Sequence, residues 1–242
     1  MEQPIRFYDC KDFSDPNKRI PMDANTLEDF SKVFDLLAVL GKGRSGIVCG
    51  TTEEHMALKI MCYQSIDDDG NSFSDSEENE MSILCLLNEL VDTVYIFPRV
   101  YGWMIMSTVP KRWIVRLYKI VNDNMKMSYV EKMPFLCIAM EKFDYNILDK
   151  RTLLNDNDIR CILFMLLYGI ACARKHLGHF RHRDIHFGNI MLSSVSTDSE
   201  FQFEYTPYTM TNVRFVPKLI DYGLSRKSPE PMKWHDEADE NE

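Results

Sequence analysis

Hydrophobic and polar positions change in short runs through the first half of the chain and adopt a long helical period only in the second. From Phe34, the run Leu36-Leu37-Ala38-Val39-Leu40 enters a glycine cluster. Ile47-Val48-Cys49 leaves it, Thr52-Glu53-Glu54 supplies a turn, and Met56-Ala57-Leu58-Lys59-Ile60-Met61 returns. Runs of this length between turn signals predict three antiparallel strands. The acidic stretch 67–75 follows, and Asp75 with Glu78 three positions on resembles a capping box. A helix is therefore expected there, with Ile83, Leu84 and Leu87 on its buried face. Val94-Tyr95-Ile96-Phe97 and Val100-Tyr101-Gly102-Trp103 give strand signals around Pro98, 113–121 is apolar and basic without a readable form, and 135–140 reads as a continuously buried strand. Asn155-Asp156-Asn157-Asp158 then caps a helix through Ile159, Ile162, Leu163, Leu166, Leu167 and Ile170, apolar nearly all round and ending near Gly178. So apolar a helix is expected at the centre of its lobe. The apolar run Ile190-Met191-Leu192, a Ser-, Thr- and Tyr-rich insert at 193–211, and a strand signal in Val216, Leu219 and Ile220 complete the pattern.

Composition narrows the class of protein. A chain of 242 residues, 45% of them hydrophobic, can bury a real core in one large domain or two small lobes. The net charge of -9 argues against a nucleic-acid partner and suits a basic one. Seven cysteines, odd in number and without a C-x-x-C pair, read as reduced core residues of an intracellular protein, cytoplasmic or nuclear. With no apolar leader and no uninterrupted apolar run of about 18 residues, neither secretion nor membrane spanning is expected. Residues 1–30, with Pro4, Pro16 and Pro21, read as an irregular lead-in packed on the first lobe; the acidic tail, 227–242, reads as a solvated, disordered charge run.

Four short motifs carry chemistry. Gly41, Gly43, Gly46 and Val48 form G-x-G-x-x-G-x-V on the first hairpin, where backbone N–H groups can close over phosphates without side-chain obstruction. Alone, the pattern fits an ordinary hairpin equally well. Ala57 and Lys59 on the third strand favour the phosphate reading, since a lysine at that spacing can reach the same phosphates. Glu80 or Glu77, on the following helix, should pair with Lys59, and the other acid then complements the helix dipole. The stretch His182-Arg183-Asp184-Ile185-His186-Phe187-Gly188-Asn189 places an Asp and an Asn five residues apart directly after the long helix. Asp221-Tyr222-Gly223 supplies a second acidic site after a strand.

These motifs, in this order, resemble those of eukaryotic-type protein kinases over residues 31–226, and most closely the haspin branch. His186-Phe187-Gly188-Asn189, the run Ile220-Asp221-Tyr222-Gly223-Leu224-Ser225-Arg226, and the long insert between Asn189 and Asp221 carry the narrower likeness. The resemblance implies an α+β, two-lobed kinase-like fold. An antiparallel sheet with its helix would form the N-lobe, 31–140, and a shortened helical C-lobe would span 141–226. It implies ATP and magnesium as ligands: Lys59 anchors phosphate, Glu80 is favoured over Glu77 as its partner because Glu80 followed by two residues and Ile83-Leu84 resembles the kinase C-helix, Asp184 is the catalytic base with Arg183 beside it, and Asn189 and Asp221 bind the metal. Met140 would stand at the back of the adenine pocket, the backbone of Glu141 and Phe143 would bond adenine, and Met191 would form its floor. Only 19 residues follow Gly223, with no A-P-E, so the likeness is to a minimal form of the kind a compact viral genome would carry. The implied activity is Ser/Thr phosphorylation of a basic protein, a histone tail being the type case. The alternatives are an inactive nucleotide-binding scaffold and a small-molecule phosphotransferase.

Overall fold

The computed structural model describes residues 7–13, 35–43, 46–62, 75–106, 113, 135–196, 199–204 and 206–227. The hairpin tip Arg44-Ser45, the acidic stretch 67–74, most of the basic segment 113–121 and the tail from 228 lie outside them, as does the lead-in except for 7–13. The chain divides into two compact units, Met1–Asn88 with Pro98–Phe143, and Glu89–Phe97 with Asp144–Glu242.

In the first unit, β1 (Leu36–Gly43), β2 (Gly46–Thr51) and β3 (Met56–Cys62) precede helix α1 (Asp75–Asn88), which is followed by β4 (Val100–Met106) and β5 (Phe135–Glu141). The strands form one antiparallel sheet in the order β1-β2-β3-β5-β4. Opposed residues in such a ladder share a face, as do alternate residues in a strand. The pairings Val48 with Lys59, Lys59 with Ile138, and Ala57 with Met140 therefore place Val48, Ala57, Lys59 and Met140 on one face. The other face carries Cys49, Leu58, Ile60, Cys137 and Ala139 into a core with Leu36, Met104, Met106, Trp113 and Phe135. Strand β5 lies between β3 and β4 and is covered on both faces, which is why 135–140 reads as an unbroken apolar run. Burial pushes the Cys49 thiol up to about 11, so it packs as a small hydrophobe.

The second unit contains β6 (Tyr145–Asn146), the short helix α2 (Ile147–Lys150), the long helix α3 (Asp156–Leu177), β7 (Ile190–Ser194), β8 (Phe201–Gln202), β9 (Thr209–Met210) and β10 (Phe215–Leu219). Strands β10, β7 and β6 form an antiparallel sheet in that order, and β8 and β9 form a hairpin within the insert. Helix α3 starts at a reciprocal capping box. The Asn155 side chain accepts from the Asp158 N–H, and the Asp158 carboxylate accepts from the Asn155 N–H, both at 2.9 Å. Arg214 also donates to Asp158, tying the helix start to the strand side and holding the carboxyl below its ordinary value.

Two expectations fail here. Helix α3 is not buried all round, since Ile159, Leu163 and Leu167 are 44%, 54% and 69% exposed while Ile162, Met165 and Leu166 are buried. Their spacing, i, i+4 and i+8, puts the exposed three on one stripe. Residues 94–97 form no strand, Tyr95 and Ile96 lying in a turn and Phe97 in a bend, and they belong to the second unit instead of the first. Ile96 accepts from the Leu219 N–H at 2.8 Å and lies so close to α3 that a Cβ at Gly169 would come within 2.4 Å of its Cγ1. The aromatic ring of Tyr95 meets Phe201 edge-on at 5.0 Å. This apolar run is thus buried by packing on a helix and on the insert, with no strand ladder required.

Candidate functional site

In the first unit, Lys59 on β3 and Glu80 on α1 are both buried, and Lys59 Nζ donates to Glu80 Oε1 at 2.5 Å. Helical spacing puts Glu77 near the same face but leaves it only partly buried. Its carboxyl is raised above the ordinary value, first by loss of water, then by the Glu80 charge, against the pull of its own backbone bond and of Lys59. The pairing therefore goes to Glu80.

The glycines of the first hairpin have different reasons to be glycine. Gly43 and Gly46 face each other where β1 meets β2. A Cβ at Gly46 would come within 2.3 Å of the Ile60 carbonyl oxygen, so close packing on β3 requires that residue. At Gly41 a Cβ would meet nothing within 4 Å, leaving the strand open on that side. Beyond Met140, the Glu141 N–H donates to the Arg99 carbonyl and the Lys142 N–H to the His55 carbonyl, at 2.8 and 2.9 Å. Among the described residues, the Phe143 N–H donates to no backbone acceptor.

In the second unit, the loop after α3 is held by a set of bonds that the motif residues make among themselves. Asn189 Nδ2 donates to the Asp184 carbonyl (3.0 Å) and to Asp184 Oδ2 (3.1 Å), leaving its own Oδ1 as an acceptor. His186 Nδ1 accepts from the Gly188 N–H at 3.0 Å, and its Nε2 lies 3.8 Å from Asp184 Oδ2. His182 is buried between the Ile220 carbonyl, 3.0 Å from Nε2, and the Asp184 N–H, 3.3 Å from Nδ1. Those partners fix the neutral tautomer with its proton on Nε2. The Ile220 N–H donates to the Asn189 carbonyl at 3.0 Å, so the residue before Asp221 is strapped to Asn189. Tyr222 is buried, its hydroxyl donating to the Leu219 carbonyl at 2.7 Å, and Ser225 Oγ donates to the His182 carbonyl.

Arg183 and Asp221 both have left-handed backbones, φ 67° and 66°. Such conformations cost about 1–3 kcal/mol in non-glycine residues and persist where surrounding bonds over-determine them, most often at working sites. Met191 lies on β7, half-buried and opposite Asn146 and Lys218.

Several supporting residues gave no usable sequence signal. Asn146 donates to the Gly188 carbonyl at 3.0 Å from 42 positions away, and no local pattern marks it. His182, Tyr222 and Ser225 lie inside quoted motifs, but their packing roles depend on contacts across some forty residues.

Known proteins place the chain in distant relation to serine/threonine protein kinases. Over 78 residues it is 30% identical to a probable serine/threonine-protein kinase of Dictyostelium discoideum, covering 29% of this chain and 6% of that one. Over 106 residues it is 29% identical to the serine/threonine-protein kinase haspin homolog of Arabidopsis thaliana, covering 43% of this chain and 17% of that protein. The chain thus spans less than a fifth of the length of either relative. No protein-family model matches it. Among the described residues, no helix is long and apolar enough to cross a membrane.

Proposed function

We propose that the chain is an ATP- and magnesium-dependent phosphotransferase acting on Ser or Thr of a basic protein. The observation that carries this reading is the Lys59–Glu80 pair. Taking two charges out of water costs several kcal/mol per ion, and well-packed apolar residues of similar volume would stabilise the fold as well or better. In phosphoryl transfer the same pair serves a purpose, since it holds the lysine where phosphate oxygens can be met.

Under this reading the N–H groups around Gly41, Gly43 and Gly46 cover phosphate and Lys59 contacts it. Val48, Ala57 and Met140, which share one face of the sheet, contact adenine, with Glu141 and Phe143 as backbone partners. Asn189 Oδ1 and the Asp221 carboxylate are hard oxygen donors of the kind magnesium takes, and two protein ligands suffice when phosphates supply others. Magnesium, when bound, neutralises charge on the phosphates. Asp184 takes the proton of the attacking hydroxyl as the new oxygen–phosphorus bond forms and the bond to the leaving ADP oxygen breaks. Asn189 holds the Asp184 carboxylate in place through Oδ2.

The test is transfer from radiolabelled ATP with magnesium to a histone-rich protein mixture, beside an Asp184→Asn control. Label on Ser or Thr that disappears in the control is the expected result. Nucleotide binding without transfer would favour a scaffold instead, and label appearing only in a small metabolite would favour a small-molecule phosphotransferase.

A further inference from the structure

Helix α1 is only 14 residues long, a length at which an isolated helix is marginal in water, so its position is set by what it packs against. One anchor is at its C-terminal end. Asn88 Nδ2 donates to the Val100 carbonyl at 3.2 Å and Asn88 Oδ1 accepts from the Val100 N–H at 2.8 Å, clamping the last helical residue to the first of β4. A second contact comes from the amino-terminal segment. Tyr8 exchanges both backbone bonds with Trp103, at 2.8 and 3.0 Å, extending the sheet by one residue beyond its β4 edge. Trp103 Nε1 donates to the Asp9 carbonyl at 2.9 Å. Tyr8 and Phe13 both lay their rings against Trp103, at 5.1 and 5.0 Å, with Phe13 edge-on and buried. Between them, the turn Cys10–Asp12 packs against both β4 and α1. Residue 102 must lack a side chain for this to happen, because a Cβ there would come within 2.5 Å of Phe7 Cβ and 2.7 Å of the Tyr8 carbonyl oxygen.

Register connects this contact to the ion pair. Trp103 is opposite Ile138, and Ile138 is opposite Lys59, so Trp103 and Lys59 project from the same face of the sheet. Glu80 reaches Lys59 from α1, the helix that the Cys10–Asp12 turn packs against.

We infer that residues 7–13 are a brace that sets the position of α1 and hence of Glu80, which makes Tyr8, Phe13 and Trp103 positioning residues for the Lys59–Glu80 pair. The activity arm of its test rests on the phosphotransferase reading; the structural arm does not. Wild type is compared with Phe13→Ala, Gly102→Val and a deletion of residues 1–13. Hydrogen exchange in α1 is expected to rise about tenfold in all three altered forms while β5 stays protected, and kcat for transfer to fall about tenfold, the scale of coupling through one packed element. A synthetic peptide of residues 1–13 should restore both in the deletion. In a Glu80→Gln background, removing residues 1–13 should lower kcat no further, because the pair through which the brace acts is already lost. Unchanged exchange in α1 would overturn the inference. So would a rise spread equally over β5, or losses that add in the Glu80→Gln background. If the wild-type chain transfers no phosphate the phosphotransferase reading falls, and exchange in α1 alone then decides on the brace.

Discussion

At His182, burial and hydrogen bonding pull in opposite directions. Loss of water holds the imidazole below its ordinary value, against the Ile220 carbonyl and the charges of Asp184 and Asp221. Between the native value and the ordinary one of about 6.5, the unfolded chain binds a proton that the folded chain refuses, so stability falls as pH drops through that window. Thermal melts from pH 7 downward should show that slope, and His182→Gln should flatten it. The same variant should cost roughly 1–3 kcal/mol at pH 7 by leaving buried partners of the ring unpaired. Under the proposed function, substitution of Lys59 by Met should abolish transfer, and it should lower the melting temperature because Glu80 then lies buried without its cation. A Lys59→Met, Glu80→Leu double variant should recover much of the stability and none of the activity, since a well-packed apolar pair can replace a buried ion pair. Full activity in the single variant would overturn the proposed phosphate contact of Lys59. The motifs that hold the candidate residues at this scale were legible in the sequence, because their spacing is local. Which glutamate pairs with Lys59 was not, because Glu77 and Glu80 are one helical turn apart and only the approach of α1 to β3 separates them.

At the scale of elements, α3 offers a direct contrast between its two sides. Ile162→Ala removes a buried side chain and should cost about 2–5 kcal/mol, while Leu163→Gln on the exposed stripe should change stability by no more than about 0.5 kcal/mol. Denaturant melts of the two variants check this, and equal losses would mean that the stripe is covered. Gly169 tests packing against propensity. Alanine is favoured in a helix by about 1 kcal/mol, but here its Cβ would push into buried Ile96, and a net loss of stability is expected. The capping box adds a pH signature. Asp158 is held low chiefly by Arg214, so its contribution is present at neutral pH and is lost as pH falls from the ordinary carboxylate value of about 3.8 through its native one. Asp158→Asn should be less stable than wild type at pH 7, with the gap closing in strong acid.

For the whole molecule, the net charge of -9 sets the long-range field. Under the proposed function, transfer should favour Ser or Thr flanked by Lys or Arg and should weaken as salt rises, since screening shortens to about 10 Å at 0.1 M. A peptide array read at low and high salt measures both effects; a preference for acidic flanks, or no dependence on salt, would refute the charge argument. The assignment of Glu89–Phe97 to the second unit also belongs to this scale. Its apolar run reads as a strand by composition, but the contacts that bury it, with Gly169, Phe201 and Leu219, come from seventy or more residues downstream.

The sequence by itself determined what local rules control: strand and helix periods, the helix start at Asn155-Asp156-Asn157-Asp158, and the order of the glycine, lysine, Asp-Asn and Asp-Tyr-Gly motifs. Each depends on residues within a few positions of one another, where backbone geometry leaves few choices. Only the tertiary structure decided the choice of Glu80, the left-handed backbones of Arg183 and Asp221, the exposed stripe of α3 and the brace on β4. Those outcomes depend on which distant surfaces meet. A helix or strand pattern states that a face is apolar, but the free energy of burying it is realised only by the partner that covers it.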